Sequence, residues 1–65
     1  MITVYFLKTR LGDNEPWREA EAFPSRKERD KAASFVRCMG GFRTYSYEEK
    51  ITREQAELLF ESFRD

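Results

Sequence analysis

Met1-Ile2-Thr3-Val4-Tyr5-Phe6-Leu7 opens the chain, and Lys8 ends its apolar run. The stretch is rich in β-branched and aromatic residues, which favour strands. Side chains alternate across a strand, so Ile2, Val4 and Phe6 share one face and Tyr5 and Leu7 the other. Both faces are apolar, which predicts a central strand over residues 1–10.

The rest of the chain must flank that strand. Gly12-Asp13-Asn14 has the composition of a turn. Residues 17–23 read as a second strand, with Ala20 and Ala22 opposite Trp17, Glu19, Glu21 and Phe23. Pro24 stops it. Ser25-Arg26-Lys27-Glu28 then has the form of a capping box and starts a helix. Ala32, Phe35, Val36 and Met39 recur at helical spacing as its apolar face. Gly40 stands where a helix ends in a left-handed residue.

Residues 42–51 read as a third strand, with Arg43, Tyr45, Tyr47, Glu49 and Ile51 on one parity. A second capping box, Thr52-Arg53-Glu54-Gln55, opens a second helix with Ala56, Leu59, Phe60 and Phe63 on one face. The resulting order is ββαβα in the α+β class. A hairpin followed by a helical crossover predicts a three-stranded antiparallel sheet in order 2-1-3, with two helices on one face. Phe35, Phe60 and Phe63 are expected in the core. The other sheet face would display Tyr5, Leu7, Trp17, Phe23, Tyr45 and Tyr47.

Sixty-five residues predict one domain spanning 1–65. So short a chain has a stability on the order of 3–5 kcal/mol. One cysteine cannot form an internal disulfide. The absence of His removes the usual zinc ligand sets and the common near-neutral acid–base. Cys38 falls on the last turn of the first helix, where the helix dipole disfavours a thiolate; it is expected to pack on the helix flank. No enzymatic activity and no cofactor are expected. The first residues are too few for a signal peptide or a membrane span, so the expected location is cytoplasmic.

Charge is balanced overall, with twelve basic and twelve acidic residues. It is unevenly spread, at +4 over residues 24–47 and −3 over residues 48–65. Arg26 with Asp30, and Glu28 with Lys31, are spaced to pair along the first helix. Aromatic residues make up 15% of the chain, more than one covered face of so small a sheet is expected to bury. Tyr, Trp and Arg are also common interface anchors.

These features predict a non-catalytic protein-binding module, a small inhibitor or accessory protein, contacting its partner through Tyr5, Trp17, Arg43, Tyr45 and Tyr47. Small domains without catalytic residues are common among phage and mobile-element products, and that frequency alone suggests a phage-like inhibitor. The alternative is a nucleic-acid-binding protein using the basic surface Arg26, Lys27 and Arg37 with the aromatic third strand. The uncovered sheet face could also close on a second copy as a homodimer.

Overall fold

The computed structural model describes residues 1–63 of the chain. Strand β1 spans Ile2–Leu11, β2 Glu21–Phe23 and β3 Phe42–Ile51; helix α1 spans Arg26–Cys38 and α2 Arg53–Leu59, followed by a 3₁₀ turn at Glu61–Phe63. The sheet is antiparallel in order β2-β1-β3. The class, the strand order and the presence of two helices are as the sequence predicts.

β1 pairs with β3 over ten consecutive residue pairs, from Ile2–Ile51 to Leu11–Phe42, without a bulge. Its pairing with β2 is confined to Tyr5–Phe23, Phe6–Ala22 and Leu7–Glu21. The expected second strand over 17–23 is therefore cut to its last three residues. Glu and Ala are poor strand formers, and the segment before Glu21 adds only an Arg18 N–H bond to the Thr9 carbonyl (2.9 Å).

Both helix starts are capped by their own side chains. The Ser25 hydroxyl accepts from the Glu28 N–H (3.2 Å), but the return bond from Glu28 is not made. At α2 the box is complete: Thr52 Oγ1 accepts from the Gln55 N–H, and Gln55 Oε1 accepts from the Thr52 N–H. The Gly40 N–H bonds the Arg37 carbonyl at the end of α1, and Gly40 and Gly41 both take positive φ. Two consecutive left-handed residues turn the chain from helix into β3 at little steric cost.

α1 packs on the face carrying Tyr5 and Leu7. Leu7 is buried there, as is Ala33 of the helix, and Arg37 bonds the Thr44 hydroxyl on the same face (3.3 Å). The expectation that Tyr5 and Leu7 face open solvent is corrected by this packing. Val4 points to the opposite face and is also fully buried. α2 contacts β1, and its Ala56 is fully buried.

Three other core expectations change. Phe35 is 67% exposed, because α1 turns Arg29 and Ala33 inward and leaves Phe35 on its flank. Cys38 is exposed rather than packed. α2 ends at Leu59, with Phe60 in an extended conformation (φ −134°, ψ 131°). Phe60 and Phe63 are consequently half-buried against each other, 5.8 Å between ring centres, and Leu59 is exposed.

These placements predict a contrast. Leu7→Ala removes a buried leucine and costs about 2–4 kcal/mol, most of the stability of so small a domain. Phe35→Ala changes stability by no more than about 0.5 kcal/mol. Urea denaturation followed by circular dichroism checks the pair, and equal effects would contradict the assigned helix face.

Candidate functional site

The β1–β3 register decides which side chains meet. Phe6 lies opposite Tyr47, Lys8 opposite Tyr45, and Arg10 opposite Arg43. Cross-strand partners share a face, so Phe6, Lys8, Arg10, Arg43, Tyr45, Tyr47 and Glu49 all stand on the face opposite α1. Trp17, from the loop before β2, joins them. Four rings form a continuous row. Phe6 and Tyr47 stack with centres 5.0 Å apart and planes 9° apart. Tyr47 meets Tyr45 at 5.8 Å and Tyr45 meets Trp17 at 6.2 Å, both tilted. Trp17 and Tyr45 are the exposed end of the row.

Cations cap the rings. The Arg10 guanidinium lies 4.5 Å from the centre of the Trp17 ring, and Lys8 Nζ lies 5.6 Å from that of Tyr47. Such contacts contribute about 0.5–1 kcal/mol each at exposed sites. Arg43 pairs with Asp13 (3.0 Å). Lys8 and Arg10 have no carboxylate partner among the described residues, and Arg10 Nε is a buried donor without an acceptor.

Of the five residues predicted to bind a partner, Trp17, Arg43, Tyr45 and Tyr47 are brought together. Tyr5 is not. It lies under α1, its ring 5.7 Å from the Arg26 guanidinium and 5.4 Å from that of Arg29. The alternative basic surface, Arg26, Lys27 and Arg37, is on α1 and so across the sheet from the tyrosines. Arg26 pairs with Glu48 (3.1 Å) rather than with Asp30. Asp30 is held by Arg29 (3.0 Å), which is itself buried and donates to the Tyr47 carbonyl (3.3 Å). Sequence reasoning missed Lys8 and Arg10. Their even numbering places them with Phe6, and this alternation is the signal that could have found them.

A second apolar feature is a shallow cleft of about 610 Å³ on the flank of α1, lined by Glu21, Glu28, Lys31, Ala32, Phe35 and Val36. It lacks buried polar groups that would orient a small ligand. Among the described residues no group of three or more His, Cys, Asp or Glu is placed to hold a metal ion, and no helix is long and apolar enough to cross a membrane. No family model matches the chain, and no similarity to a curated protein or a solved structure is found.

Burial raises the pKa of the Tyr47 phenol above 10.0, helped by the Glu49 carboxylate and by Tyr45. A phenol raised in the folded state contributes its full stability below the unfolded value and loses it as pH rises through the folded value. Tyr47 is therefore expected to ionise above pH 10, with stability falling as it does. A phenolate absorbance titration compared with Tyr47→Phe checks this. If the substitution removes a transition at or below pH 10, the shielded position of the ring is contradicted.

Proposed function

We propose that the chain is a non-catalytic protein-binding module, a small inhibitor or accessory protein, that receives its partner on the row Trp17–Tyr45–Tyr47–Phe6. The observation that carries this reading is a ring row, exposed at Trp17 and Tyr45, beside two cations, Lys8 and Arg10, that have no carboxylate partner among the described residues. Buried apolar anchors with Trp, Tyr and Arg at their centre supply most of the energy of protein interfaces. The unpaired cations favour a partner that presents carboxylates beside an apolar patch, which also speeds encounter.

The ring geometry weighs against nucleic acid. Base recognition by aromatic platforms needs free ring faces. Here Phe6 and Tyr47 cover each other, Lys8 lies over Tyr47, and Arg10 lies over Trp17. The basic helix that would follow a phosphate backbone is on the opposite side of the sheet.

Affinity capture from a native-source lysate, with and without nuclease, tests the reading. A stoichiometric protein that survives nuclease is expected. Trp17→Ala and Tyr45→Ala are each expected to weaken its binding roughly tenfold or more, while Lys27→Ala, on the outer side of α1, leaves it unchanged. Capture that collapses with nuclease, or that tracks Lys27 rather than Trp17, would overturn the proposal.

A further inference from the structure

The outer edge of β3 is long and, among the described residues, carries no further strand. Among the described residues β3 pairs only with β1; it runs ten residues without a bulge and contains no proline. Soluble proteins ordinarily protect such an edge by shortening, bulging or covering it. The direction of its backbone groups follows from the bonds at its end. The Gly12 N–H reaches the Gly41 carbonyl (2.7 Å), while the Thr9 carbonyl receives Arg18 on the β2 side. Even positions of β1 therefore bond odd positions of β3. The N–H and C=O groups of Phe42, Thr44, Ser46, Glu48 and Lys50 are left pointing outward.

We propose that a second copy of this chain pairs with that edge, β3 against β3, antiparallel about a two-fold axis at Ser46. A two-fold axis normal to the sheet pairs residues of like parity. One such register makes the strand complementary to itself. With Ser46 opposite the second copy's Ser46, Arg43 faces the second copy's Glu49 and Tyr45 faces the second copy's Tyr47, each pair occurring twice. Residues 42–50 then pair in full, and the outward groups exchange roughly ten backbone hydrogen bonds. Shifting the register by two residues in either direction places Arg43 opposite Ile51 or Tyr47 and loses the charge match. On the other face Thr44 meets the second copy's Glu48, and Arg37, already on the Thr44 hydroxyl, adds a second cation beside that carboxylate.

The helices permit this approach. α1 contacts β1 and β3 alike and bonds β3 through Arg26, Arg29 and Arg37, so it lies over these two strands. At about 4.8 Å per strand, the two α1 helices would stand about 10–14 Å apart, at or beyond the 8–10 Å of direct packing, so they do not block the pairing. The assembly is a six-stranded sheet in which the ring rows of the two copies meet at Tyr45 and Tyr47. The inference rests on the β1–β3 register and not on the partner reading of the ring row, because the paired surface is an edge.

Sedimentation velocity from micromolar to near-millimolar concentration tests it. A concentration-dependent dimer is expected. Ser46→Pro removes an N–H that the monomer does not use, and edge strands tolerate proline at such positions. This variant should keep its circular dichroism spectrum and sediment as a monomer. Glu49→Arg should weaken the dimer about tenfold by setting like charges opposite each other, and adding Arg43→Glu should restore it. A monomer at every concentration would overturn the proposal. So would a dimer indifferent to Ser46→Pro, or one that the double charge exchange does not rescue.

Discussion

The ten-pair ladder between β1 and β3 is the constraint on which the rest of the structure depends. Side chains alternate along a strand, so an unbroken ladder assigns twenty residues to two faces in one step, and a slip of one residue would move every residue of one strand to the other face. With the register as it stands, Leu7 meets Ala33 on one side of the sheet and Val4 is sealed on the other. The small core is therefore divided by the central strand. Neither half is large, which is why the domain depends on a few fully buried side chains and on caps such as Ser25 and Thr52.

The elements were legible in the sequence because their signals are local. Ser25 and Thr52 mark helix starts, Gly40 marks a helix end, and the strong strand formers of β1 and β3 mark strands. The faces were not legible, and the reason is physical. β1 is apolar on both parities, so its alternation carries no arrow toward the core. The direction is set by what α1 offers. It turns in small and long residues together, Ala33 against the strand and Arg29 folded along it, so that a buried cation spans Tyr5 and bonds the Tyr47 carbonyl. A pattern that counts only apolar residues places Phe35 inward and Arg29 outward, the reverse of the packing. Similarly, the break at Phe60 separates Leu59 from Phe63, and nothing in the helical spacing of those residues announces it.

The candidate site shows the same division. Trp17, Arg43, Tyr45 and Tyr47 share a face because β3 alternates cleanly and the loop returns Trp17 over Arg10. Tyr5 belonged with them only if β1 faced the other way. The outcome is a sheet with two unlike surfaces. Under α1 the arginines are engaged with Glu48, Asp30 and Thr44. On the open side rings and cations engage one another, and Lys8 and Arg10 have no carboxylate among the described residues. This asymmetry is the ground for proposing a protein partner on the ring row rather than a polyanion on the helix.

The central claim is the register, and proton NMR reads it directly. In the observed pairing Tyr5–Glu48, Leu7–Ser46 and Thr9–Thr44 are among the pairs that do not exchange backbone hydrogen bonds, the positions where opposing α-carbons come closest. Cross-strand Hα–Hα Overhauser effects are predicted at these three pairs. Effects displaced by one residue, for example between Leu7 and Tyr47, would turn the tyrosines beneath α1 and contradict the account.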